Sequence, residues 1–260
     1  MKYSRNDFDF SVLGKNNIDR IQLELIPGNK RVLEIGCATG ELSGYLIREK
    51  ECTVLGVEAD VEQAQASAST GMEVFCGFVD QPKMQEKLDR YVVDHQPFEV
   101  VLMSQVIEHV ADPEGLLIKI RDWLTDDGFL VISTCNIAHW TCRFRLLAGN
   151  WEYEDYGIMD RDHLRFFTIN SFASLLDNCG YRVQDFGFSF QDFCPFKALF
   201  DFRLLAPSDI LRLLPFVGNK LRRLYTHAAR NLIATQFVYR ATPVQTTLSN
   251  FTKDENQGVK

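Results

Sequence analysis

The stretch Arg31-Val32-Leu33-Glu34-Ile35-Gly36-Cys37-Ala38-Thr39-Gly40-Glu41-Leu42 decides how this chain is organised. It opens with an apolar run of strand length and passes through small residues from Gly36 to Gly40. Beyond them Leu42, Tyr45, Leu46 and Ile47 recur at helical spacing. A strand, a tight turn and a helix follow from that pattern. Glycines in such a turn let backbone approach a ligand closely, and the first turn of the helix offers N–H groups with no intrahelical partner.

Working outward, Ile18, Ile21, Leu25 and Ile26 lie on one helical face that Pro27-Gly28 closes just before the strand. Downstream, Cys52 to Asp60 reads as a second buried strand with an acidic end, and Val61 to Ser69 as a helix. Glu73 to Phe78 is a short third strand, and Met84, Leu88 and Tyr91 mark the next helix. Phe98 to Met103 is a fourth strand that runs into Ser104-Gln105-Val106-Ile107-Glu108-His109-Val110. Asp112-Pro113 then opens a helix, Asp126-Asp127-Gly128 is a turn, and Phe129 to Thr134 is a fifth strand. Such alternation predicts an α/β fold, a doubly wound, mostly parallel sheet with helices on both faces. Ligands of such sheets bind beyond the carboxyl ends of the strands, where Gly36 to Gly40, Glu58, Asp80 and Ser104 to His109 all fall.

From Ile137 to Met159 the alternation stops, and Trp140, Phe144, Trp151, Tyr153 and Tyr156 stand among charges, which predicts a lid or substrate-facing insertion. Thr168 is an N-cap for a helix carrying Phe172, Leu175, Leu176 and Cys179, stopped by Gly180. Tyr181 to Phe190 is a strand, and Gln236 to Ala241 a last, antiparallel strand inserted beside its neighbours, giving seven in all. Residues 246–260 are polar and predicted to be a disordered tail.

The net charge of −7 and a pI near 5.3 argue against a nucleic-acid-binding surface. The polar N-terminus and the lack of a bilayer-length apolar run predict no signal peptide and no membrane span. Seven scattered cysteines without a C-x-x-C pair are expected to be reduced thiols of a cytoplasmic protein. One segment differs in charge: residues 197–230 hold seven basic and two acidic side chains, net +5. Within 208–233, Leu221, Leu224, Tyr225, Ala228, Leu232 and Ile233 share a helical face beside those cations. Peripheral contact with an anionic membrane surface is one reading; a helix packed on the domain with a solvated basic face is the other. Phe193, Phe196, Phe200 and Phe202 line an apolar acceptor pocket or fill core.

The turn reads Gly-x-Ala-x-Gly with Glu34 two residues before it, and it matches neither the G-x-G-x-x-G of dinucleotide-binding turns nor a P-loop. Glu34-Ile35-Gly36-Cys37-Ala38-Thr39-Gly40 resembles the first motif, E-x-G-x-G-x-G, of the class I S-adenosylmethionine-dependent methyltransferases, with Ala38 in place of the middle glycine. The likeness continues through Phe98 to Met103, Glu108-His109-Val110-x-Asp112-Pro113 and Leu124-x-x-Asp127-Gly128-Phe129-Leu130-Val131-Ile132-Ser133. Similar glycan and lipid-linked methyltransferases also carry segments like Asp162-His163-Leu164-Arg165-Phe166-Phe167-Thr168.

The resemblance implies a Rossmann-like cofactor core over residues 1–136. Residues 137–245 then supply a lid or acceptor-facing insertion, the completing strands and the basic amphipathic helix. The implied cofactor is S-adenosylmethionine, held by Glu34, Gly36, Cys37, Ala38, Gly40, Glu58, Ala59, Asp80, Ser104 and Gln105. Glu58 matches the acid that takes both ribose hydroxyls, a role suited to a carboxylate. Glu34 anchors the turn and the cofactor's ammonium. Phe78 stands where the family often has an acid against adenine, with Asp80 two residues on. The implied reaction moves a methyl group to a small-molecule, sugar or lipid-linked acceptor at oxygen, with His163 and His109 as bases and Arg165, Trp140 and Trp151 on the acceptor. His163 and Arg165 could equally fix the lid to the sheet.

In the resembling ubiquinone-pathway O-methyltransferases E-x-x-E-H is implicated in binding a divalent metal. Here the segment is Gln105-x-x-Glu108-His109, so a hard cation loses one charged ligand and no metal is expected. The competing readings are a non-catalytic module that keeps the cofactor pocket and an NAD-dependent oxidoreductase, the latter disfavoured by the turn spacing.

Overall fold

The computed structural model describes residues 10–190 and 230–244. The basic stretch up to 229, the phenylalanines from Phe193 to Phe202 and the tail 246–260 lie outside the described residues.

Helix α1 (Ile18–Glu24) starts where Asn17 accepts hydrogen bonds from the Asp19 and Arg20 amides at 2.8 and 3.1 Å. Strand β1 (Arg31–Ile35) passes through the glycine turn into α2 (Glu41–Lys50), with Gly40 as the left-handed N-cap. Then come β2 (Thr53–Glu58), α3 (Val61–Ala68), β3 (Glu73–Cys76), α4 (Pro82–His95), β4 (Phe98–Ser104) and α5 (Pro113–Trp123). Asp60 and Asp112 cap α3 and α5 through their carboxylates. Strand β5 (Leu124–Cys135), α6 (Trp140–Leu147), α7 (Ile169–Asn178), β6 (Tyr181–Phe190) and β7 (Ala234–Pro243) complete the described elements.

The seven strands form one sheet in the order β3-β2-β1-β4-β5-β7-β6, with β1 to β5 parallel and β7 antiparallel to both β5 and β6. Strand order therefore reverses between β1 and β4, which places the first ligand crevice of the sheet there. Alternating residues divide between two cores. Val32, Val54, Val100, Leu102 and Val131 pack with Ile18, Leu23 and Leu46 on one face. On the other, Leu33, Val101, Met103, Leu130 and Ile132 pack with Leu88, Leu117, Ile120, Trp123 and Phe172. This is the period of two that a strand covered on both faces must satisfy.

Two local features differ from the sequence expectation. Asp126-Asp127-Gly128 is not a turn between separate elements but an irregularity inside β5, where pairing jumps from Phe98↔Leu124 to Val100↔Phe129. The two aspartates stay exposed while the strand continues past them. The expected non-alternating insertion contains the short helix α6, which carries Trp140 and Phe144. Among the described residues no helix is long and apolar enough to cross a membrane.

Candidate cofactor and acceptor site

Each strand that ends at the crevice delivers its last residues to one cavity of about 720 Å³. That volume lies within the range of small-molecule sites. Glu34, Gly36, Cys37 and Ala38 come from the first turn, Glu58 and Ala59 from the end of β2, and Asp80 from beyond β3. Ser104, Gln105 and His109 follow β4, and His163 comes from the segment before α7.

The turn is shaped by three left-handed residues, Gly36 at φ 74°, Ala38 at φ 46° and Gly40 at φ 85°. A β-carbon on Gly36 would sit 2.3 Å from Val106 Cγ2, so only glycine fits beneath the β4 loop. Gly40 does not line the cavity; a β-carbon there would meet Ser67 Oγ at 2.9 Å, so its smallness serves the approach of α3.

Glu58 is pinned through both carboxylate oxygens, accepting from the Ala38 amide at 2.8 Å and the Asp60 amide at 2.9 Å. Each oxygen keeps further acceptor capacity, and the group faces the cavity. Two backbone donors thus fix the orientation of the carboxylate. Glu34 lies deeper, accepting from the Ser43 hydroxyl, and burial pushes its pKa up to about 8 against the pull of that hydrogen bond. A cation arriving above it would favour the charged form. Glu58 for hydroxyls and Glu34 for an ammonium, beside a turn open to backbone approach, form a donor set that fits S-adenosylmethionine.

Gln105 holds a left-handed backbone at φ 55°, uncommon for a residue with a side chain. The conformation is held in place: Gln105 N donates to Ser133 O at 3.1 Å and Nε2 to Ser133 Oγ at 2.8 Å. Its Oε1 accepts from Gln236 Nε2 at 3.1 Å and from Cys135 Sγ at 3.2 Å. Ser104 Oγ accepts from Gln22 Nε2 at 3.0 Å, which ties the β4 end to α1.

Opposite the turn, His109 and His163 meet edge to face with ring centroids 4.8 Å apart. His109 Nδ1 lies 3.1 Å from Asp162 O, and His163 Nδ1 lies 3.2 Å from Ile158 O. The segment that carries His163 is stitched to the β4 loop, because Glu108 O accepts from both the Leu164 and Arg165 amides, at 2.8 and 3.0 Å.

Arg165, Trp140 and Trp151 do not line the cavity. The Arg165 guanidinium donates to Ala111 O at 2.7 Å and Leu164 O at 3.0 Å, so it braces the loop rather than forking onto an anion. Trp151 packs edge-on against Phe166, and Trp140 rests beside Phe144 on α6. Tyr156 of the aromatic insertion does line it, as do Asp19, Asp160 and Gln236, which sequence reasoning did not single out. Gln236 had no sequence signal, since only the register Cys135↔Gln236 brings it to the site. Asp160 carried one, its place three residues before His163.

Comparison with known proteins agrees with this geometry. A family profile described as "Methyltransferase domain" matches residues 13–185. A ubiquinone biosynthesis O-methyltransferase of Salmonella paratyphi A is 29% identical over 108 residues, 41% of this chain and 43% of that protein. The match thus spans less than half of that curated relative's length. Among solved structures, a putative methyltransferase from Bacillus halodurans superposes with a TM-score of 0.56 at 13% identity, covering 88% of this chain and 99% of that one. A SAM-dependent methyltransferase from Thermotoga maritima does so with a TM-score of 0.52 at 18% identity, covering 85% and 87%. At these identities the superpositions speak for the fold, while the profile covers most of the chain. The chain therefore belongs to the methyltransferase domain family, in its class I, S-adenosylmethionine-dependent form.

Proposed function

We propose that the protein transfers a methyl group from S-adenosylmethionine to an oxygen of a small-molecule acceptor, with sugar and lipid-linked acceptors in the same class. The observation that carries this reading is the pairing, across one cavity, of the backbone-pinned Glu58 carboxylate with the His109–His163 imidazoles. The bound cofactor supplies an electrophilic methyl, so the protein's task is alignment and exclusion of water. Glu58 orients the ribose, Glu34 and the turn amides hold the amino-acid end, and a histidine takes the proton of the acceptor hydroxyl. The likeness to a ubiquinone biosynthesis O-methyltransferase supports oxygen as the methylated atom.

Calorimetry with S-adenosylmethionine and with NAD tests the cofactor, and preference for NAD would sink the reading. Labelled methyl transfer into fractionated cell extract then asks for the acceptor without assuming its class. We expect incorporation that falls at least tenfold in His163→Asn. Tight cofactor binding with no incorporation into any fraction would mark a binding module instead.

A further inference from the structure

Glu108 is 1% exposed; its carboxylate makes no hydrogen bond of full geometry, and only weak ones from the Thr134 hydroxyl and the Glu108 and Cys135 amides reach it. A buried carboxylate so weakly held is stabilised by a proton or a cation. Two other donors converge on it. Cys135 Sγ, at the end of β5, and a ring nitrogen of His163 join a Glu108 oxygen in a group whose atoms all lie within 4.8 Å of one another. His163 Nδ1 sits 3.2 Å from Ile158 O. An Nδ1–H donated to that carbonyl is the outer-shell arrangement that fixes the ring of metal-binding histidines.

We propose that Glu108, Cys135 and His163 form a binding site for a borderline-soft divalent cation of the zinc class. A thiolate, an imidazole and a carboxylate are the donor types zinc takes, whereas magnesium and calcium require oxygen ligands. Gln105 is left out of this set, because its amide oxygen already accepts from Gln236. The site shares Glu108 with the E-x-x-E-H pattern that position 105 interrupts, and takes its other two ligands from the end of β5 and the segment before α7. On binding, the Cys135 thiol releases its proton to solvent and the S–H bond is replaced by S–Zn. All three residues line the cavity. A cation with three protein ligands and one open position lowers the pKa of an oxygen bound there. Binding itself stands apart from the methyl-transfer reading; with a cation on His163 the proton of the acceptor hydroxyl would pass to His109, and only that use of the cation rests on the reading.

The test uses the full chain after chelator treatment. Cobalt(II) titration should give a near-ultraviolet thiolate-to-cobalt charge-transfer band with strong visible d–d bands. Zinc should compete it away at one equivalent per chain. Cys135→Ser should lose the charge-transfer band, Glu108→Gln should weaken zinc binding by about 100-fold, and Cys76→Ala, altering an exposed thiol, should change neither. If the variants do not fold, zinc-edge X-ray absorption of the wild type carries the test, with one sulfur and at least two nitrogen or oxygen neighbours expected. Absence of stoichiometric zinc, a band that survives Cys135→Ser, or a zinc shell without sulfur would overturn the proposal. Calorimetry with S-adenosylmethionine on the same samples separates the two readings: cofactor binding without zinc defeats only this one, and zinc without cofactor binding only the other.

Discussion

Single residues carry the electrostatics of the cofactor end. Glu58→Ala removes a charged acceptor of two hydrogen bonds, each worth about 1.5–3 kcal/mol. S-adenosylmethionine affinity should fall at least tenfold by calorimetry, and unchanged affinity would mean the ribose is held elsewhere. Glu34 is pushed up to about 8 in the fold against 4.5 in its ordinary state. Between those values the folded protein keeps a proton that the unfolded chain has given up, so this group makes stability fall as pH rises toward 8. The interval from pH 7 to 8 lies above the range of His139, which burial pulls down to about 4, and at or above that of Glu108, raised to about 7. Thermal denaturation of the cofactor-free protein should therefore show a fall in Tm over pH 7–8 that Glu34→Gln makes shallower; parallel curves would refute the assignment. Gly36→Ala adds a β-carbon against Val106 at a left-handed backbone. It should cost about 1–3 kcal/mol in urea denaturation.

Elements meet at the end of β5, where the sheet hands over to the cavity wall. Asn136 is fully buried, its Nδ2 donating to Asn231 O at 2.9 Å and Ala234 O at 2.8 Å while its Oδ1 accepts from the Ala138 amide at 3.1 Å. It joins the chain after β5 to the start of β7. Asn136→Ala strands two buried carbonyls and one amide, and should lower unfolding free energy by about 2–4 kcal/mol. A loss below 0.5 kcal/mol would show that other donors replace it. On the far side, α7 begins as its sequence dictates, Thr168 and Ser171 forming a reciprocal capping box. The start of α7 and the glycine turn were legible because caps and turns are local chemistry. The bracing of the chain after His163 by Glu108 O, through the Leu164 and Arg165 amides, was not, because it joins residues more than fifty apart.

At the scale of the molecule, β7 is the keystone, since it lies between β5 and β6 and pairs antiparallel with both. Phe237 and Tyr239 are buried on it against Phe172, and the Tyr239 hydroxyl donates to Ile169 O at 2.8 Å. A chain ending at Leu232 would lose the central strand of that half-sheet and leave two unpaired edges. Circular dichroism and limited proteolysis should find no cooperative unfolding transition in it. Phe237→Ala in the full chain should cost about 3–5 kcal/mol. A truncated chain that unfolds cooperatively would show that β6 can pair with β5 directly.

The sequence alone determined the alternation of strands and helices, the glycine turn and the acid that ends β2. Each is written in neighbouring residues, as hydrophobic period, turn chemistry or the last residue of a strand. Tertiary structure decided which side chains face one another. It moved Arg165, Trp140 and Trp151 off the cavity wall, because the guanidinium found carbonyls nearby and the indoles found aromatic partners. It also set Gln236 against Gln105, and brought Glu108, Cys135 and His163 into one group. Those neighbours are fixed by strand register and by the path of the segment before α7, long-range pairings that no local pattern records.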